Sequence, residues 1–387
     1  MISRLLNPFR NLLASSENIS PGMYHYQSPA DDPRNYRLHL RVENDGRGIL
    51  IVNASTILHL NETATEYAYY FVNNRPLGDV IHQMTRRYRV EPEQAEADYL
   101  DFTDRVLTLV EIPDLDPITF LDFSRQTPYS SQISAPYRLD CALTYRLPDT
   151  ADPAFAPRKN VSRELSTAEW QTVLEKAWRA GVPHIIFTGG EPTLRDDLPV
   201  LIAKAEQLGQ VSGLLSDGRR LLEQGYLDAL LQTGLDHLMI LLDPAMESSW
   251  AAVQLPLPED IFIAVHYTVT SADFNRDKAI INRLAESGVK AVSLSATDPA
   301  LKSSLDQIAD FAVSRNLALV WDIPVPYSMH NPVNLELPSS ELVSGAGRAW
   351  LYIEPDGDVL PTQSADQVIG NILRDSWDKI WSAAGSR

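Results

Sequence analysis

The stretch "HIIFTGGEPTLR", His184 to Arg195, ends an apolar run on two glycines and a glutamate followed by proline. Gly189 and Gly190 open backbone conformations closed to other residues and allow close approach of a ligand, while Pro192 stiffens the chain just past Glu191. Such a segment aims a polar group. Other residues carry weaker chemistry. Asp149 and Asp152 lie in a proline-containing acidic stretch that offers oxygen ligands to a hard cation or is simply solvated. The eight histidines show no ligand spacing, and His266 in "AVHYTV" reads as a hydrogen-bonded strand residue rather than a base. Neither a glycine-rich phosphate loop nor a Gly-x-Ser-x-Gly elbow occurs.

The elements that must position Glu191 follow a regular rhythm. "LDCALTYR" precedes a helical stretch from Ser166 to Gly181, "HIIFTG" one from Asp197 to Leu208, and "VSGLLSDG" one from Leu221 to Gly234. "DHLMILLD", "IFIAVHYTVT", "AVSLSAT" and "LALVWDIP" continue the alternation. Apolar strands alternating with helices predict an α/β fold with a parallel sheet, a partial or full TIM-like barrel over 137–330. Sites in such barrels lie at the carboxyl ends of strands, where Glu191 falls.

Before the barrel, "YRLHLRVENDGRGILIVNAS" reads as a hairpin turning at Asn44-Asp45-Gly46. Three helices follow, the first capped by Asn61. Residues 21–112 thus form a small α+β unit after an N-terminal arm (1–20), which is weakly amphipathic and basic. A proline-rich linker occupies 113–136. The last block, 331–387, holds a hairpin turning at Pro355-Asp356-Gly357 and a short helix, too little for an independent domain.

The chain has 387 residues, 44% of them hydrophobic, enough for a large core. Its 51 acidic against 33 basic residues give a formal charge of −18, which argues against nucleic acid and anionic membrane surfaces. Apolar runs are strand-sized and predict no membrane span. Cys141 is the single cysteine, so no intrachain disulfide forms and the cytoplasm is the expected compartment.

"TGGEPTLRDDLPVLI" after a strand, with "LLSDGRRL" one unit later, resembles the radical S-adenosylmethionine (radical SAM) enzymes that modify peptides. "LNETATEYAYYFVNNRPLGDVIHQMTRRYRVEPEQ" is similar to the winged-helix-like PqqD modules that recognise precursor leader peptides. "GAGRAWLYIEPDGDVLPTQ" resembles a truncated SPASM or twitch extension. The resemblance implies a radical SAM-type barrel with a residual S-adenosylmethionine (SAM) site at Gly189, Gly190, Glu191, Ser216 and Ser295. These residues would line a cavity at the carboxyl ends of the strands. Three uses of Glu191 stay open: a charge-assisted bond to the SAM ammonium, a structural contact such as a pair with Arg195 or Arg219, and a reassigned catalytic role.

The sequence departs from the family where its chemistry begins. The resemblance implies a Cys-x3-Cys-x2-Cys loop holding a [4Fe-4S] cluster, and those positions carry Leu147, Ala151 and Ala154. Soft thiolate donors are needed there. Ser344 and Thr362 likewise stand where the extension carries cysteines. The expectation is a chain with no cluster, no metal and at most weak SAM binding. It would act as an accessory pseudoenzyme in peptide maturation, binding a precursor or leader peptide or docking an active radical SAM partner. An enzyme with residual SAM binding or new chemistry in the barrel mouth is the alternative. Peptide capture is expected by strand addition at Ile49, Ile51 and Asn53, beside a groove formed by Tyr99, Phe102 and Val106.

Overall fold

The computed structural model describes residues 19–29, 31–54, 56–112, 133–148, 161, 163–320, 345–363 and 365–385. The chain divides into two compact units, Met1–Thr127 and Pro128–Arg387.

The first unit holds four antiparallel strands in the order β1 (Gly22–Gln27), β2 (Arg37–Val42), β3 (Gly48–Val52), β4 (Thr56–Leu60). The expected hairpin is β2–β3. Gly46 turns it at φ +84°, and Glu43 N–H donates to Arg47 O at 2.8 Å. The outer strands β1 and β4 add to it. Asn53 and Ala54, both at positive φ, turn the chain from β3 into β4. Leu38, Leu40, Leu50, Val52, Leu58 and Leu60 share one face by period-two alternation. They form a core with Ala68, Val72, Val106, Leu109 and Val110 of the helices.

These helices are α1 (Glu62–Val72), α2 (Leu77–Arg87) and α3 (Pro92–Glu111). Asn61 caps α1 by accepting from Ala64 N–H at 2.9 Å. A second cluster, Tyr67, Val80, Met84, Ala95 and Tyr99, joins the three helices.

In the second unit seven strands run parallel: β5 (Arg138–Thr144), β6 (His184–Gly189), β7 (Val211–Ser216), β8 (His237–Leu241), β9 (Phe262–Val269), β10 (Ala291–Ala296) and β11 (Ala318–Leu319). Between them lie α4 (Thr167–Ala180), α5 (Leu198–Leu208), α6 (Tyr226–Leu231), α7 (Glu247–Gln254), α8 (Phe274–Glu286) and α9 (Lys302–Ser314). Ser166 and Glu169 form a capping box at the start of α4, and Gly181 ends it at φ +92°. Strands β12 (Trp350–Ile353), β13 (Asp358–Leu360) and β14 (Gly370–Asn371) extend the same sheet, β12 lying parallel to β5. Helix α10 (Trp377–Gly385) follows.

Among the described residues the sheet is open, with β11 and β14 at its ends. One face of the strands, including Leu139, Cys141, Leu143, Ile185 and Phe187, packs with helix residues such as Trp170 and Leu201. On the other face Ile186, Leu215, Met239, Ala264 and Ala291 make an apolar floor across five strands. No helix among the described residues is long and apolar enough to cross a membrane.

Candidate functional site

Gly189 and Gly190 meet the chain that leaves β5. A Cβ on Gly189, whose φ is +141°, would lie 2.2 Å from Thr144 O, and one on Gly190 2.2 Å from Arg146 O. Gly190 N–H donates to Thr144 O at 2.7 Å and Glu191 N–H to Arg146 O at 2.9 Å. Close backbone approach, with no ligand involved, already requires both glycines.

The Glu191 side chain is 3% exposed and serves the loops around it. Its Oε1 accepts from Thr193 N–H at 3.0 Å, Thr193 Oγ1 at 2.6 Å and Ser216 Oγ at 2.8 Å. Its Oε2 accepts from Asp217 N–H at 2.8 Å. The carboxylate thus ties the turn after β6 to the turn after β7. Burial and the neighbouring Asp217 push its pKa up, to about 7, against the donors that favour the charged form.

The expected pairing with Arg195 or Arg219 is corrected. Arg195 binds Asp197 at 2.7 Å and the carbonyls of Leu143 and Leu165, while Arg219 pairs with Asp217 at 3.1 Å. Those carboxylates lie closer in sequence and claim both guanidinium groups.

Ser216 belongs with Glu191, and its Oγ also accepts from Gly218 N–H at 3.0 Å. Ser295 sits in a separate cluster. Its Oγ lies 2.8 Å from His266 Nε2 and 3.0 Å from Thr268 Oγ1, and His266 Nδ1 lies 2.9 Å from Ser293 Oγ. All four side chains are buried. Of the five residues expected to line a cavity, all are buried, with Ser216 joined to Glu191 and Ser295 joined to His266. Thr193, Asp217, Thr268 and Ser293 went unread in the sequence. The alternations His266/Thr268 and Ser293/Ser295 on adjacent strands were the available signal for two of them.

The residues do not fit a [4Fe-4S] cluster. Cys141 is buried on the helix-facing side of β5, where burial and Asp140 raise its thiol pKa well above the ordinary value. Leu147 is half-buried and supplies no donor. Thr362 is buried and accepts from Trp350 Nε1 at 3.2 Å. Ala151, Ala154, Asp149, Asp152 and Ser344 lie outside the described residues. The described residues hold one carboxylate group of metal-ligand spacing, Glu354, Asp356 and Asp358, at the β12–β13 turn. There Asp358 is already held by Asn371 at 2.8 Å and Arg374 at 3.3 Å.

The expected peptide site needs three corrections. Ile49 and Ile51 lie on β3, which pairs with β2 on one side and β4 on the other, so it offers no free edge. Asn53 is a turn residue at φ +50°, and its Oδ1 accepts from Arg37 N–H at 2.9 Å. Tyr99 and Val106 are buried in the unit's own clusters and Phe102 packs against both, so this stripe is core rather than groove. Among the described residues the outermost strands are β1 and β4.

Residues 141–247, from within β5 to the start of α7, match the family model of the radical SAM superfamily. The PqqA peptide cyclase of Gluconobacter oxydans (strain 621H) is 28% identical over 286 residues, covering 64% of this chain and 77% of that protein. The fold resembles that of Streptococcus suis SuiB. SuiB bound to S-adenosylmethionine gives a TM-score of 0.56 at 16% identity, and SuiB bound to its precursor peptide SuiA gives 0.59 at 15%. Each comparison covers 92% of this chain and 88% of SuiB.

Proposed function

We propose that this chain is a cluster-free relative of radical SAM peptide-modifying enzymes that binds a precursor peptide, or docks a competent partner enzyme, in peptide maturation. The observation that carries the cluster-free part is the single cysteine, whose thiol faces the helix-side core. One thiol cannot supply the three needed to hold the cluster. Without a cluster there is no electron donor for reductive SAM cleavage, and SAM loses the iron that chelates its amino and carboxylate groups. Glu191, saturated on Oε1 by three donors, leaves little for a ligand ammonium. SAM binding is accordingly weak or absent.

The peptide part is supported by the likeness to SuiB, which binds its precursor peptide, and to the PqqA peptide cyclase. Residues 21–112 act as the PqqD-like recognition unit. An extended peptide pairs with the outer side of β1 or β4, where main-chain hydrogen bonds supply register. The net charge of −18 favours peptides with basic residues.

The test is an NMR titration of the full chain with synthetic leader segments of short open reading frames encoded beside it. Saturable shifts in β1 or β4 are expected, with β3 responding only secondarily. No response to any such leader, or shifts confined to the β5–β10 loops, would count against the proposal.

A further inference from the structure

The geometry points to a metal site at the amino ends of β6 and β8, where His184 and His237 together bind a divalent transition metal ion of the zinc type. The site lies at the opposite end of the strands from Glu191 and is independent of the peptide-binding reading above. It also departs from the expectation of a metal-free chain.

His184 opens β6 and His237 opens β8. They stand 53 positions apart, so no ligand spacing shows in the sequence. The strand between them is β7, and it carries no side chain where one would intrude. A Cβ on Gly213 would lie 2.1 Å from His237 Nε2, so the imidazole crosses the bare backbone of β7 toward β6. There the two Nε2 atoms come to 3.3 Å. Two imidazoles bonded to one zinc at about 2.0–2.1 Å and the tetrahedral angle hold their nitrogens about 3.3–3.4 Å apart. The ring centroids are farther apart than the nitrogens, at 5.0 Å, with the planes at 61°. The rings therefore converge on their Nε2 atoms rather than stack. A direct hydrogen bond would be a long one, since bonds from nitrogen donors centre on about 2.9–3.0 Å.

The surroundings leave the pair ready for a cation. Burial and the charge of Arg138 push the pKa of His237 down to about 4, so its imidazole is neutral near pH 7 and no proton competes for it. Arg138 is the opposing charge, and Asp140 takes it up, with Oδ1 2.8 Å from Nε and Oδ2 3.2 Å from the terminal nitrogen. Both histidines are half-buried, which leaves an approach from solvent. Among the described residues no further histidine, cysteine or carboxylate completes a three-ligand group with them, so water fills the remaining positions. Imidazole donors suit zinc, nickel and copper, whereas magnesium and calcium take oxygen. The amino ends of barrel strands serve stability rather than chemistry, and a metal here ties β6 to β8 across β7.

The experiment titrates the full chain, stripped with EDTA and desalted, with zinc chloride in a calorimeter. Saturable binding of one zinc per chain is expected, with no response to magnesium. Loss of an outer-shell partner already costs a metal site about 10–100-fold in affinity, so His184→Gln and His237→Gln, each losing a ligand, should weaken binding at least about tenfold. Asp356→Asn, in the carboxylate group at the β12–β13 turn, should leave it unchanged. Zinc should raise the urea midpoint of the wild type and of neither histidine variant. X-ray absorption of the zinc-loaded wild type should show two imidazole ligands, a readout that needs no variant to fold. No zinc binding, binding that survives in both histidine variants or is lost only in Asp356→Asn, or a zinc shell without two imidazoles overturns the inference.

Discussion

Glu191 was conspicuous in the sequence because two glycines and a proline frame it, but its partners were not. Ser216 and Asp217 lie 25 and 26 positions away and reach it only because β6 and β7 are neighbours. A local motif shows that a carboxylate is aimed, not at what. Truncation by Glu191→Ala strands four donors around a buried void and should cost about 2–4 kcal/mol in urea unfolding; a loss below about 0.5 kcal/mol would contradict the loop-tying role. The pH dependence follows from the raised pKa. The native state holds this proton more tightly than the unfolded chain, so its contribution is complete below the ordinary value of 4.5 and is lost as pH rises through about 7. The unfolding free energy of the wild type relative to Glu191→Gln should fall across that window and level off above it, and a flat difference would refute the assignment. His237 acts in the opposite sense. Burial and Arg138 lower it to about 4, so its contribution is present above 6.5 and lost as pH falls through 4.

The strand–helix rhythm of the second unit was legible because the strands are predominantly apolar and the first helices carry boundary signals, a Ser166 start and a Gly181 stop on α4 and a Gly209 stop on α5. The outer strands of the first unit were not. "GMYHYQ" is polar in alternation, and "TILHL" is short and follows a turn with no glycine. That turn uses Asn53 and Ala54 at φ +50° and +57°. Ala54→Gly should therefore stabilise the chain by about 0.5–1 kcal/mol, read as a higher urea midpoint at unchanged slope; no gain would show that the turn is not held at positive φ. The apolar stripe of α3 was also legible, yet helical spacing reports that a face is buried without saying by what, and here the unit's own core takes it. Close approach between elements makes a sharper prediction. Gly190→Ala sets a methyl 2.2 Å from Arg146 O and should cost at least about 3 kcal/mol or prevent soluble expression; a well-folded variant of normal stability would show that the β5 and β6 loops are not packed as described.

For the whole molecule, the described parallel sheet retains the elements that position a site, while the side chains at that site bond to one another. Glu191 holds two loops together, and Ser295, His266, Thr268 and Ser293 satisfy each other. The departure at Leu147, Ala151 and Ala154 was readable from the sequence because thiolate ligation tolerates no substitute among alanine and leucine. That the remaining site residues are buried and divided between two clusters was not, since burial depends on contacts between segments far apart in the chain. The central question is whether this chain can hold an iron–sulfur cluster. Anaerobic reconstitution with iron and sulfide, followed by iron analysis and a visible spectrum of the desalted protein, tests it directly. The expected result is a colourless protein with no stoichiometric iron, whereas about four irons per chain with the charge-transfer absorption of a bound cluster would contradict it.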